Sequence, residues 1–578
     1  MEWKCRNCGQ VGCSGKCWGF HGLKRKRILE QEEEAKQKQQ QQQQQQTNAH
    51  DSSLSKTIPP TKRSNKNNHN ELLKERKELQ KRKQIEDWIA SGLTLGPSAG
   101  RDPKTGLRVP KPCVRVLETT TKGKWCGKSL LAVLRTEFPN SFRPQEPSPP
   151  ACDSETELDD ILRILFEKRL IRVNGKPVPS MDDANSYKLK NMDVIDRIVD
   201  WHEPPIHLPN ERINVQRIPI PKECFNDADD EITGDDYNLY VCNKPSTVPV
   251  HPAGPYLSNS LTIMMEAQEG LPPKTLIPCH RIDRVTSGMT ICCANPRVAR
   301  LVQTTLADRS CLRKEYLAKV AGRFPVNDAD DSVSSLPSPS EEKDLARWKW
   351  ITKETTQTDG NDSASAMGMT FLQVDAPVET VDPLNGIRRI TPNGKASTSL
   401  FRLLSYDAQN DTSILSCVLV TGRSHQLRVH LEWLGHSIVD DVQYGGSNTG
   451  SHEPGSFAID PLAGVQRLRD NLDADSSPTA PAAHLSSSGV TEAQALAARE
   501  VCPIRNPGKG PAATFNPSQL LQGGHAICLH AYRYALTLRS TTSTVPRKNF
   551  KGEAPSRVMV HMKVDLPPWA SHLASEEL

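Results

Sequence analysis

From Asn238 onward the chain breaks repeatedly into apolar runs of strand length, and this pattern limits its fold more than any other feature. LYVC at 239–242, MTICCA at 289–294, YLAKV at 316–320 and ILSCVLV at 414–420 are each bounded by turn-forming residues, with helical periodicities between them. The runs do not alternate regularly with helices, and no glycine-rich phosphate loop follows any of them. The expected class is therefore α+β with a mainly antiparallel mixed sheet, not a doubly wound nucleotide-binding fold. Two polar stretches, 327–364 and 447–522, interrupt the region and read as disordered inserts.

Upstream, less of the chain is able to bury a core. Hydrophobic residues make up 36% of the 578 and aromatics only 5%, so the roughly four domains expected from length alone shrink to one large catalytic core with small accessories. Residues 23–120 read as a basic, glutamine-rich linker carrying an unbroken glutamine run at 39–46. The KRKR cluster at 24–27 fits a solvated tail, a nuclear address or a phosphate-contacting arm. Residues 1–22 hold Cys5, Cys8, Cys13 and Cys17, which are either loose thiols or the ligands of a structural zinc knuckle. The 16 cysteines are scattered and no signal-like apolar run follows Met1, so reduced thiols in the cytoplasm or nucleus are expected. No run of about 18 apolar residues predicts a membrane span. The net charge of +5 permits a polyanionic partner without requiring one.

Between 124 and 204 the chain reads as a small module. Leu130, Leu131, Val133 and Leu134, then Leu158, Ile161, Leu162, Ile164 and Leu165, recur at helical spacing. RVNGKPV at 172–178 predicts a strand and an Asn174-Gly175 turn, and LKNMDVI at 189–195 a second short strand. The pattern resembles the αL-type RNA-binding module.

The densest polar constellation is HRIDRVTSG at 280–288, a loop opening into the apolar run from Met289. An aspartate between Arg281 and Arg284 is, on spacing alone, an ordinary salt-bridged turn. Its companions change that reading: VCNKP at 241–245, His251-Pro252, KEYLA at 314–318, Gly394-Lys395-Ala396, TGRSHQLRVHL at 421–431, LGHSIVD at 434–440, Tyr444-Gly445, LHA at 529–531 and LPPW at 566–569. In this order the motifs resemble the RluA type of pseudouridine synthase over nearly all of 236–570. The unusual feature is the long stretch after Tyr444-Gly445.

The resemblance implies an isomerase that turns uridine into pseudouridine within an RNA chain, without a cofactor for catalysis. It makes Asp283 the catalytic carboxylate, Arg423 its ion-pair partner and Tyr316 the aromatic packed on the target base. Arg281 would fill the space left by an extruded base, Leu427 would wall the base pocket, and Arg284, Lys314 and Arg428 would contact phosphates. Transfer RNA is the favoured substrate over ribosomal or messenger RNA, with a monomeric enzyme and no membrane partner. Two rival readings remain. His425, His430, Glu432 and His436 form a possible metal cluster, and an inactivated synthase fold could serve as a plain RNA-binding protein. A zinc deaminase is not supported, because its P-C-x-x-C motif is absent: Pro278-Cys279 is followed by His280 and Arg281 and then by Ile282, not by a second cysteine.

Overall fold

The fold comes from a computed structural model. It describes residues 95–138, 154–221, 224–225, 237–308, 311–327, 336, 345–354, 368–383, 386–446, 490–502, 526–539, 557–574 and 578, except 105 and 112. Cys5, Cys8, Cys13 and Cys17, the basic cluster at 24–27 and the glutamine run lie outside the described residues.

In chain order the first elements are β1 (Leu107–Arg108), β2 (Cys113–Thr120), α1 (Leu130–Glu137), α2 (Ser154–Glu167), β3 (Ile171–Val173), β4 (Lys176–Pro177), α3 (Met181–Ser186), β5 (Val194–Trp201) and β6 (Ile206–His207). β2, β5, β3 and β4 form an antiparallel sheet in that order. Ser129 caps α1, its hydroxyl accepting from the Ala132 amide at 3.2 Å, so that Leu130, Leu131, Val133 and Leu134 reach the core. Asn174 and Gly175 take φ of 52° and 76°, the left-handed pair that a two-residue hairpin needs.

The remaining elements are β7 (Val215–Pro219), β8 (Asn238–Lys244), α4 (Leu261–Glu269), β9 (Ile277–Pro278), β10 (Ser287–Cys293), α5 (Pro296–Ala307), β11 (Leu312–Ala321), β12 (Arg347–Glu354), β13 (Gly368–Asp375), β14 (Val378–Asp382) and β15 (Ile387–Ile390). They continue with β16 (Thr398–Asp407), β17 (Thr412–Leu419), α6 (Gln426–Trp433), α7 (Glu492–Glu500), β18 (Leu529–Arg539) and β19 (Arg557–Lys563). The large sheet runs β12-β13-β16-β17-β11-β18-β10-β8-β7, with β9 on β10 and β19 on β18. Its pairings are antiparallel except β10 with β18, which meet in parallel at Ser287 opposite His530 and Gly288 opposite Ala531. The class is thus α+β with a mainly antiparallel mixed sheet, as its strand-length runs predict.

Three readings of polar sequence need correction. The stretch 23–120 is not linker throughout, since β1 and β2 belong to folded structure. β2 was hidden because Val114 is its one fully buried side chain. The insert 327–364 contains β12, which pairs with β13 along its whole length and packs Trp348 and Trp350 against the main core. The insert 447–522 contains α7. Thr491 and Gln494 form a capping box there, and Ala495, Ala497 and Ala498 join the core of the small module. Small apolar residues in a polar context give a weak periodic signal, which is why α7 escapes the sequence, whereas in β12 Trp348 and Trp350 are interleaved with Arg347, Lys349, Lys353 and Glu354 and read as part of the polar stretch.

Candidate active site

The 280–288 loop is fixed at both ends. At its far end the chain enters β10 through Gly288, whose φ is +106°; an added Cβ would lie 2.3 Å from the Ala531 carbonyl oxygen. Only glycine allows β18 so close. Ser287 meets the His530 ring at 2.8 Å, and burial pushes that imidazole down to about 3, leaving it neutral. From below, fully buried Lys244 at the end of β8 donates to the carbonyls of Pro245 (2.9 Å), Val248 (2.7 Å) and Arg284 (3.2 Å). Burial, aided by the Arg284 cation, lowers the Lys244 ammonium to about 7. The third of its bonds ties the backbone beside Asp283 to the strand below.

Asp283 opens into a cleft of about 400 Å³, together with Arg281, Arg284, His251, Tyr256, His425 and Arg428. Its side chain is 26% exposed, and the Oδ2 oxygen lies 3.6 Å from Arg428 Nη1 and 3.8 Å from His425 Nε2. Arg428 comes from α6 and is held rigidly. Its Nε and Nη2 donate to both Asp441 oxygens at 2.6 and 2.8 Å, Nη2 also donates to Gln443 at 2.9 Å, and the guanidinium lies 4.6 Å from the Tyr444 ring centroid. Burial opposes the charge on Arg428, yet bonding to Asp441 and the field of Asp283 outweigh it and raise its affinity for its proton. His425 precedes α6 in the left-handed region, with φ of 59°, and its Nδ1 meets the Tyr444 hydroxyl at 2.7 Å. Burial lowers its pKa, more than the Asp283 charge raises it.

Gln426 organises this junction, and sequence reasoning missed it. Its Oε1 accepts from Thr421 Oγ1 and the Arg423 amide, and its Nε2 donates to Thr398 and Ser399. These bonds set where α6 begins and so the direction in which Arg428 points.

The structure separates the expected site residues. Arg281, Asp283, Arg284 and Arg428 share the cleft. Arg423 does not reach Asp283: its guanidinium lies 3.4 Å from the Ala396 carbonyl and lines a second cleft of about 490 Å³ with Arg388 and Lys395. The ion pair expected of Arg423 is made by Arg428, which is buried against Asp441 and is therefore no surface phosphate contact. Lys314, also expected on phosphate, sits on β11 with its ammonium 5.2 Å from the Tyr534 ring centroid, and burial lowers its pKa to about 8. Leu427 lies in the main core. Tyr316 is buried on β11, its hydroxyl 2.8 Å from that of Tyr534; burial and the Asp283 charge push it up to about 12, so it is a neutral phenol near pH 7. Arg284 stacks over Tyr256, 5.8 Å from the ring centroid. The rival metal cluster does not form, since His430 bonds the Ala376 carbonyl at 3.0 Å and His436 the Ala321 carbonyl at 3.0 Å.

A polar loop carrying one carboxylate, pinned under a basic cleft at the centre of a mixed sheet, defines a site for acid–base or nucleophilic chemistry on an anionic substrate. Residues 238–433 match the family model described as RNA pseudouridylate synthase. The chain is 31% identical over 342 residues to the tRNA pseudouridine(31) synthase of Saccharomyces cerevisiae, a match covering 59% of this chain and 72% of that protein. It is 29% identical to a mouse pseudouridylate synthase, over 63% of this chain and 50% of the relative. A third relative, the mitochondrial tRNA pseudouridine(32) synthase of Saccharomyces cerevisiae, is 30% identical over 61% of this chain and 59% of its own length. The chain belongs to the RNA pseudouridylate synthases, in their RluA-type branch. It is accordingly an isomerase converting uridine to pseudouridine, in a family that needs no cofactor for catalysis. Among the described residues, no helix is long and apolar enough to cross a membrane.

Proposed function

We propose that this enzyme isomerises uridine within transfer RNA and that Asp283 is the reacting carboxylate. The observation that carries the reading is the placement of Asp283 in the basic cleft, 3.6 Å from an arginine already oriented by Asp441. Two relatives named for transfer RNA positions 31 and 32 support the substrate class.

The reaction breaks the bond from ring N1 to the sugar, forms one from ring C5 to the same sugar carbon, removes the proton from C5 and leaves one on N1, so that product and substrate are isomers. Asp283 would stabilise the electron-poor sugar, or bond to it, while the base turns. Arg428 would hold the carboxylate in place without occupying the cleft. Tyr316, a neutral phenol by its surroundings, would serve through its ring or as a hydrogen-bond donor and not as a phenolate base. A base stacked in folded RNA has to be extruded first, at a cost of a few kcal/mol. Exposed Arg281 at the rim is suited to fill the gap, and Arg284 to meet a phosphate. Arg423, Arg388 and Lys395 in the second cleft extend the positive surface. The module containing β2 to β5 would add an RNA contact of αL type. The enzyme would act as a monomer in the cytoplasm or nucleus, and Cys5, Cys8, Cys13 and Cys17 would be the ligands of any structural zinc near the start of the sequence.

The test is pseudouridine mapping of total RNA from cells carrying either the wild-type chain or Asp283→Ala in its place. Loss of one or a few transfer RNA sites supports the reading. Persistence of every site in a variant that still binds RNA would make the chain an RNA-binding protein on a synthase fold, and loss confined to ribosomal or messenger RNA would move the substrate.

A further inference from the structure

A second cluster of chemistry-bearing side chains lies outside the cleft. Asp200 is near the end of β5, and His202 follows two residues later, the spacing that puts both on one side of an extended chain. Cys502 comes from just beyond α7, some 300 positions downstream. The Asp200 Oδ2 lies 2.8 Å from His202 Nε2, and Cys502 Sγ lies 3.3 Å from the same nitrogen. Their potential ligand atoms all fall within 4.8 Å of one another, and the Asp200 and His202 side chains are 0% and 1% exposed.

Two bland readings fit poorly. A Cys-His-Asp nucleophilic triad needs the acid on one ring nitrogen and the thiol on the other. Here both converge on Nε2, and Nδ1 has no hydrogen-bond partner. A simple hydrogen-bonded cluster fares no better, because Nε2 carries either one N–H, for Asp200, or one lone pair, for the Cys502 thiol, and cannot serve both groups that converge on it. Carboxylate, imidazole and thiol aimed at a common point form the mixed O, N, S donor set of a zinc site. Bond lengths of about 2.1 Å to nitrogen and 2.3 Å to sulfur place those two ligand atoms roughly 3.5 Å apart on a tetrahedral ion. The 3.3 Å between Cys502 and His202 is close to that, and a small rotation of the Asp200 carboxylate supplies the third protein ligand, leaving one position of the tetrahedron for water.

We infer that Asp200, His202 and Cys502 bind a structural divalent cation of zinc type. The ion fastens α7, carried by the 447–522 insert, to the last strand of the small module. Glu203, the next residue, accepts from the backbone amides of Leu257, Ser258 and Asn259 at 2.9, 2.8 and 2.8 Å, just ahead of α4. The site therefore joins the insert and the small module at the point where the module is tied to the catalytic region.

The experiment uses the full chain with Cys5, Cys8, Cys13 and Cys17 all replaced by Ser, which removes the other cysteine-rich candidate. Zinc content is measured by elemental analysis, and cobalt(II) is added as an optical probe. The expected result is about one zinc per chain and a thiolate-to-cobalt charge-transfer band, both lost in Cys502→Ser and His202→Gln. A strong chelator should also lower the melting temperature of the parent but not of Cys502→Ser. A zinc-free parent, or unchanged metal content in a folded Cys502→Ser or Asp200→Asn variant, overturns the proposal. If no variant stays soluble, the zinc content and chelator response of the parent decide alone.

Discussion

Arg428→Lys separates the charge beside Asp283 from the geometry that delivers it. The guanidinium gives Nε and Nη2 to Asp441 at 2.6 and 2.8 Å and leaves Nη1 3.6 Å from Asp283. A lysine ammonium is a point donor and cannot span both carboxylates. Two unit charges 3.6 Å apart interact by about 4–5 kcal/mol at an effective dielectric of 20. Asp283 is 26% exposed, so solvent screening reduces this to roughly 2–3 kcal/mol. If the ammonium stays on buried Asp441, Asp283 loses that support, and the rate of the chemical step should fall by about 30- to 150-fold. The assay is single-turnover release of tritium from transfer RNA carrying 5-tritiated uridine, with thermal melting in parallel. Arg428→Ala should in addition lose about 3–5 kcal/mol of stability, because it strands the Asp441 charge in the interior. Arg423→Lys is the control: its guanidinium faces a carbonyl at 3.4 Å and not the reacting carboxylate, so its single-turnover rate should change only a few-fold. A lysine at 428 within about threefold of wild type, or one at 423 equally slow, would refute the reasoning.

Three further outcomes are expected. Gly288→Ala should fail to give soluble, cooperatively melting protein, since its methyl group would collide with the Ala531 backbone; a normal melting curve would show that β10 and β18 can separate locally. Tyr316→Phe should cost about 1–2 kcal/mol by leaving the buried Tyr534 hydroxyl without this bond, and a double Tyr316→Phe/Tyr534→Phe variant should lose less than the two single costs added, measured by urea denaturation. His430 and His530 are lowered by burial to about 4 and about 3 from 6.5, so below pH 6.5 the unfolded chain binds more protons than the native one. Stability should therefore drop as pH falls from 6.5 towards 4, by up to about 1.4 kcal/mol per unit for each histidine, and His430→Gln should flatten the slope.

The sequence exposes what is local and leaves dark what depends on distant contacts. The Asn174-Gly175 hairpin and the passage from the 280–288 loop into β10 follow from neighbouring residues, and both are present. The choice between Arg423 and Arg428 is different. They lie on either side of the start of α6, and which one reaches Asp283 depends on where that helix begins and which way it faces. Gln426 bonding to Thr398 and Ser399, and Arg428 bonding to Asp441, settle that through partners 13 to 28 positions away. Lys244 stands in a quoted motif, but its hold on the Arg284 carbonyl crosses 40 positions. β12 was lost among polar neighbours, and α7 became visible only through its contact with the small module.

The place of β18 in the large sheet has a consequence for how the chain is made. It stands between β11 and β10, so without it the sheet falls into two pieces, β12 to β11 on one side and β10 to β7 on the other. About 250 residues separate the end of β10 from the end of β18, which at 5–20 residues per second is roughly 12–50 s of synthesis. The β10 edge is open for that whole interval, and the β11 edge for the shorter part of it that follows synthesis of β17, each able to pair with a neighbouring chain. The Asp283 loop gains its Gly288 and Ser287 partners only when β18 arrives. A nascent chain that lingers before 529–539 is therefore where chaperone binding and aggregation should concentrate.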